Sequence, residues 1–268
     1  NMNIYQPWNY SAGLYPSWVS TTEAIALFTQ RNTYTTKAPF VNGQVDIDKL
    51  HLFYGLKRTD YEVNQTGSTN TTSKNSTRFG ASYDLLKQIT AFVGTGQSSR
   101  MPVGSTFAPG VVAKPEETSQ DEIGFKFNSA YGLTGVISLF DLKKKNAPMS
   151  DGGFYSVQEG TQESKGLDLD LIWKVNNSWT NLLAYTNQQA KYKVDRNYAG
   201  KQLFLVPEET LRIATRYEFK QGVYSGLGLG FGLTYRSELP GYYTNKFFTP
   251  SVTTYDACLL YTSDAADD

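Results

Sequence analysis

One cysteine, Cys258, one histidine, His51, and three methionines are all the chain has of these residue types. A lone cysteine excludes a disulfide within the chain. A lone histidine with no cysteine near it leaves no His/Cys cluster of the kind that holds zinc. His51 falls on a strand and reads as a satisfied polar-face side chain. An excess of charge is missing too. Lys and Arg number 25, and Asp and Glu number 25, which excludes a strongly basic surface for nucleic acid but not a local patch. No run of about 18 apolar residues occurs, so no segment reads as a transmembrane helix. The opening residues, NMNIYQPWNY, have neither the basic n-region nor the apolar h-region of a signal peptide. That absence carries no weight if the chain is a fragment.

What is abundant is tyrosine (19), glycine (23), threonine, serine and asparagine. Tyr and Thr suit strands, while Gly, Asn and Ser suit turns and loops. The clearest pattern lies in residues 154–175, FYSVQEGTQESKGLDLDLIWKV. Leu167, Leu169, Leu171, Trp173 and Val175 fall on one face, and Asp168, Asp170 and Lys174 on the other. A strand sends successive side chains to opposite faces, so this stretch has one apolar and one charged face.

Similar strands are expected elsewhere. The spacing predicts strands over 21–34, 46–63, 77–85, 89–96, 120–127, 133–142, 179–189, 210–219 and 226–236, with a last one beginning at Ser251. Residues 35–44, 64–76, 98–117, 143–153, 190–207 and 237–250 read as connections. Short turns fall near residues 87, 130, 177 and 222, spaced by roughly 45 residues, and alternate with long polar loops. Short turns at one rim and long loops at the other are the organisation of an outer-membrane barrel, in which an apolar face meets lipid and a polar face a wet lumen. Trp173, Trp179, Tyr217 and Tyr235 suit its interfacial girdles. The rival fold is a large soluble β-protein, such as a carbohydrate-binding sandwich.

No catalytic constellation emerges, and the chain does not read as an enzyme. Asp168 and Asp170 could suggest acid/base work, but on a lumen face they read as solvated or paired. GLGLGFG, residues 226–232, alternates Gly with apolar residues along a strand and opens no helix, so it is not a phosphate loop.

Three segments then resemble one family in order and spacing. They are KPEETSQDEIGFKF (114–127), with Glu116, Glu122 and Gly124; GVISLFDLKKKN (135–146), with Leu139, Phe140, Asp141 and Asn146; and SVQEGTQESKGLDLDLIWKV, with Gly160, Ser164, Gly166 and Asp168. They are similar to consecutive strands of TonB-dependent siderophore receptors. The likeness extends over nearly all of residues 20–257, through VPEETLRIATRYEF, GLGLGFGLTYRSELPG and TPSVTTYDA.

The resemblance implies an all-β fold, an antiparallel transmembrane β-barrel of the outer membrane. The parent barrel is roughly 22-stranded, and about eleven of its strands lie here. The plug domain and TonB box would lie upstream. Residues 1–257 read as partial barrel. CLLYTSDAADD, from Cys258, is similar to a translated transposon-sequencing adapter and reads as a non-native tail.

The implied function is active uptake of ferric siderophores, energised by the TonB–ExbB–ExbD complex through the absent N-terminal region. No cofactor would be bound directly, since iron would travel as the ferric siderophore chelate. Other partners would be outer-membrane lipid and no nucleic acid. Alternatives are another cargo, such as cobalamin or an oligosaccharide, or a passive porin. Flat rings and guanidinium groups suit bulky, partly aromatic, often anionic chelates. The candidate ligand contacts are therefore Trp8, Tyr10, Tyr15, Trp18, Arg100, Phe154, Tyr155, Tyr198, Tyr242 and Tyr243.

Overall fold

The computed structural model describes residues 32–65, 68–102, 105, 107–108, 111–150, 153 and 155–261. Among them lie fourteen strands and no helix. They are β1 (Asn32–Lys37), β2 (Phe40–Ile47), β3 (Leu50–Gln65), β4 (Ser68–Leu86), β5 (Ile89–Arg100), β6 (Glu116–Asn128) and β7 (Leu133–Ser150). Then come β8 (Ser156–Lys174), β9 (Trp179–Val194), β10 (Glu209–Glu218), β11 (Leu227–Arg236), β12 (Leu239–Pro240), β13 (Phe248–Thr249) and β14 (Val252–Tyr261).

The chain divides into two compact units. One comprises Asn1–Lys37 with Asp60–Ser73, the other Ala38–Thr59 with Lys74–Asp268. In the first, β1 pairs with the far half of β3, from Asn32↔Gln65 to Lys37↔Asp60. In the second, β2 pairs with the near half of β3, from Phe40↔Lys57 to Ile47↔Leu50. An antiparallel meander then runs β3-β4-β5-β6-β7-β8-β9-β10-β11-β14. The hairpin of β12 and β13 stands apart.

The pairing of β8 follows from its alternation. Leu167, Leu169, Leu171 and Trp173 lie opposite Leu139, Ile137, Gly135 and Leu133 of β7, while Asp168 and Asp170 lie opposite Ser138 and Val136. A one-residue slip would exchange the two faces, so the apolar pattern fixes the register. The sheet is a single layer. Ile123 is 58 % exposed and Leu139 56 % exposed on the apolar face. A sandwich would cover such residues with a second sheet.

Turn chemistry matches the short connections. Asn176 Oδ1 accepts the N–H groups of Ser178 and Trp179 at 2.8 and 2.9 Å and so turns β8 into β9. Gly132, in the β6–β7 turn, has φ +76°, and a Cβ there would lie 2.2 Å from the Lys174 carbonyl oxygen. Side chains on the polar face are also fitted closely. A Cβ on Gly166 would lie 2.2 Å from the Asn187 carbonyl oxygen and 2.9 Å from the Phe140 ring.

Several boundaries differ from the sequence expectations. Residues 46–63 do not form one strand: Asp48 takes φ 50° and turns β2 into β3. Short acidic and amide side chains tolerate this left-handed region. Much of the expected polar connections at 64–76 and 143–153 is instead strand, in β3, β4 and β7. Above an apolar band both faces meet water, so alternation fades while the ladder continues. β14 likewise runs past Ala257, with Cys258↔Gly230 and Tyr261↔Leu227 in register. The strand expected over 21–34 lies mostly outside the described residues.

Replacing Gly166 by Val should lower stability by about 1–3 kcal/mol through overpacking. Gly80→Ala, where the nearest atom is 3.6 Å away, should change stability by no more than about 0.5 kcal/mol. The midpoint of urea unfolding of the refolded protein compares the two. Equal midpoints would contradict the close fit.

Candidate functional site

The buried hydrophobic side chains of the second unit gather toward the long-loop end. Met101, Ala147, Met149, Ala190, Tyr192 and Leu239 are buried there, although the sheet below is one layer. Two loops build most of this upper structure, residues 195–208 between β9 and β10 and residues 237–251 between β11 and β14.

Each loop is shaped by its own polar side chains. Asp195 Oδ1 accepts the N–H groups of Asn197 and Tyr198 at 2.8 and 2.9 Å, starting the first loop in a tight turn. The loop then runs back beside β9, with Tyr192 N–H donating to Lys201 O and Leu203 N–H to Ala190 O, both at 2.9 Å. In the second loop, β12 and β13 pair through Leu239↔Thr249 and Pro240↔Phe248. Asn245, at φ 53°, reaches across to the first loop. Its Oδ1 accepts Gln202 N–H at 2.7 Å, and its Nδ2 donates to Gln202 O at 3.1 Å. Leu205 N–H donates to Pro240 O at 3.2 Å.

These bonds bring five aromatic rings together. Tyr198 stacks on Tyr243 with centroids 5.6 Å apart and an interplanar angle of 20°. Phe204 lies 4.8 Å from Tyr243, and Tyr242 packs edge-on to Tyr243 at 5.2 Å. Tyr192 lies beneath, 6.1 Å from Tyr198 and 6.3 Å from Tyr243. Its burial pushes the phenol pKa up, and its hydroxyl accepts Phe204 N–H at 3.4 Å. Tyr243 is 38 % exposed and Tyr242 49 % exposed. The result is an aromatic surface, anchored below and open above.

Of the ten residues expected to contact ligand, Tyr198, Tyr242 and Tyr243 converge in this group. Arg100 belongs to another one. It donates from Nε to Glu116 Oε2 at 2.7 Å, with Lys144 Nζ 3.8 Å from the other carboxylate oxygen. Tyr155 lies half-buried between β7 and β8. Trp8, Tyr10, Tyr15, Trp18 and Phe154 lie outside the described residues. The sequence reading missed Tyr192, Phe204, Gln202 and Asn245. The KYK around Tyr192 and the TNK around Asn245 are the only local signals, and neither reveals a partner about 40 residues away.

A second tie joins the β5–β6 connection to the start of β8. Lys114 N–H donates to Gln158 Oε1, and Gln158 Nε2 donates to Lys114 O, both at 2.6 Å. Asn146, the last residue of LFDLKKKN, sits at φ 56° where the register shifts, and donates to Pro115 O at 3.0 Å. Among the described residues no cluster of three or more His, Cys, Asp or Glu is arranged to hold a metal ion. His51 is hydrogen-bonded to Asp46 at 2.6 Å and Asp84 at 3.2 Å.

A family model described as TonB dependent receptor-like, beta-barrel matches residues 1–264. The chain belongs to the TonB-dependent receptor β-barrel family. These receptors are outer-membrane transporters of Gram-negative bacteria, not enzymes, so the apolar face of the sheet is its lipid face.

The ferrichrome outer membrane transporter/phage receptor of Escherichia coli K12 is 28% identical over 189 residues, covering 69% of this chain and 25% of that protein. The metal-pseudopaline receptor of Pseudomonas aeruginosa PAO1 is 29% identical over 202 residues, covering 74% and 28%. The crystal structure of the siderophore receptor PiuA from Acinetobacter baumannii superposes with a TM-score of 0.75 at 20% identity, covering 87% of this chain and 38% of that one. This chain thus spans about a quarter of the length of the two curated relatives.

Asn245→Ala should detach the loops from each other without unfolding the wall. Losing two bonds to a part-buried backbone costs about 1–3 kcal/mol locally. Limited proteolysis of outer-membrane vesicles should then cut within residues 195–208 several-fold faster. An unchanged cutting rate would assign the loop pairing to the aromatic rings alone.

Proposed function

We propose that the intact receptor takes up ferric siderophores across the outer membrane, energised through the TonB–ExbB–ExbD complex. The observation that carries this reading is the ring group of Tyr198, Tyr242 and Tyr243, held by two loops above a receptor wall. A ferric chelate presents a bulky organic shell with its iron enclosed. Stacking on Tyr243 and Tyr242 would hold that shell without any protein ligand to the metal, and the iron would be cargo. Arg100, although paired with Glu116, keeps a 71 % exposed side chain. It would add charge-assisted bonds to an anionic chelate. Trp8, Tyr10, Tyr15, Trp18, Phe154 and Tyr155 complete the proposed contact set. The names of the relatives, which include ferrichrome and ferrioxamine receptors, support this cargo class over cobalamin or an oligosaccharide.

Deleting the full-length gene should abolish uptake of at least one radioiron-labelled siderophore from a panel of hydroxamates and catecholates. Unchanged uptake of every chelate would sink the reading. Tyr243→Ala in the intact receptor should weaken binding of the transported chelate roughly tenfold. One well-placed ring contact is worth about 0.5–1.5 kcal/mol. The amount of folded receptor in the membrane should not change.

A further inference from the structure

Among the described residues with a positive φ, all but one are Gly, Asn or Asp. These are the types that tolerate a left-handed backbone. The exception is Leu205, at φ 59°. In that region a Cβ crowds the following carbonyl, so the backbone conformation does not favour leucine. Packing does not favour it either. Leu205 is 55 % exposed, whereas Leu203, Phe204 and Val206 around it are half-buried. Such a residue keeps its conformation only when its surroundings over-determine it.

The surroundings of Leu205 do so from three sides. Within the loop, Val206 N–H donates to Leu203 O at 3.3 Å and closes a four-residue turn with Leu205 in its third position. A left-handed residue there is ordinarily Gly or Asn. Gln202 Nε2 donates to Val206 O at 2.9 Å. From the second loop, Pro240 O accepts Leu205 N–H at 3.2 Å. The wall supplies the third hold. The ladder between β9 and β10 ends where Gln188 N–H donates to Glu208 O at 2.8 Å. Pro207 has no N–H to carry it further. The Gln188 side chain takes over, with Nε2 donating to Pro207 O at 3.3 Å and Oε1 accepting the Ser164 hydroxyl at 3.0 Å.

The same turn sets one edge of the ring group. Phe204, the residue before Leu205, has its ring 4.8 Å from Tyr243 and its N–H 3.4 Å from the Tyr192 hydroxyl. A strained backbone therefore displays an aliphatic side chain next in the chain to an aromatic anchor. All of these residues belong to the second unit.

We propose that Leu205 is a specificity-determining contact for the transported chelate, and that it meets an aliphatic arm of the chelator. The tyrosines offer flat faces and hydroxyl groups. Leu205 offers hydrocarbon alone, and covering it removes apolar surface from water. The chelates favoured are those whose metal-binding groups are joined by polymethylene chains. An asparagine at this position would relax the turn and give up the contact, so leucine trades local stability for binding. This inference rests on the reading that the ring group receives a ferric chelate, and it adds the aliphatic part of the chelator to that reading.

The test measures binding to the full-length receptor by titration calorimetry. Two probes are the gallium complexes of trihydroxamates with polymethylene arms, the chelators of ferrioxamine B and ferrichrome. The third is a gallium tricatecholate. The unaltered receptor should bind at least one trihydroxamate. Leu205→Asn should weaken that binding about tenfold, although asparagine suits the backbone better. Leu205→Met, which keeps the hydrocarbon, should stay within about twofold. A residue that served only the turn would give the reverse order, with asparagine binding at least as well as leucine. Undiminished binding by Leu205→Asn would therefore overturn the proposal. So would an equal loss in Leu205→Met, which would assign the effect to the shape of the turn. Binding of the tricatecholate alone would overturn the aliphatic class and leave the transport reading standing. Binding of none of the three would count against the transport reading itself and take this inference with it.

Discussion

In a wall one layer thick, every backbone N–H and C=O must find its partner in the next strand. Among the described residues no second sheet covers the faces of this wall, and hydrocarbon offers no hydrogen bonds. The rest of the architecture depends on this constraint. It requires long strands, registers unbroken through the apolar band from β5 to β11 and short turns closed by Asn176 or Gly132. It also accounts for close fits such as Phe140 beside Gly166, where the absence of a Cβ leaves room for the end of the ring against the ladder.

The same constraint explains why the strands outlast the lipid face. β7 and β8 continue well beyond the last apolar pair, Leu139↔Leu167, to Ser150↔Ser156. The loops therefore begin on stiff supports above the lipid band. At that level the chain acquires something the wall lacks, a small core of its own. Tyr192 and Leu239 are buried there among the bonds that join the two loops. The aromatic surface is a product of this upper packing and not of the sheet itself.

Much of this was legible in the sequence, and the limits have physical reasons. Alternation identified every strand from β5 to β11, because lipid on one side and water on the other imprint a period of two. It marked the turn-side ends well, since there the apolar faces stop abruptly. It failed at Lys143–Ser150 and at Ser68–Ser76, where water on both faces removes the imprint while the ladder persists. It also passed over the turn at Asp48, whose left-handed backbone leaves little trace in the pattern. In the site, Tyr198, Tyr242 and Tyr243 could be picked out as loop aromatics. Their convergence could not, because it depends on Asn245 meeting Gln202 and on Leu205 at φ 59°, contacts between distant segments. The pairing of Arg100 with Glu116 across the β5–β6 connection was equally out of reach of the pattern.

Asn245 and Gln202 tie two surface loops into one span. Lengthening either loop alone would move one end of the tie and break its register with the other. Such surfaces ordinarily diverge fastest, each loop free to change by itself. Here the two are expected to diverge as a pair, with insertions in one matched in the other, so the variable unit of this receptor is the pair of loops.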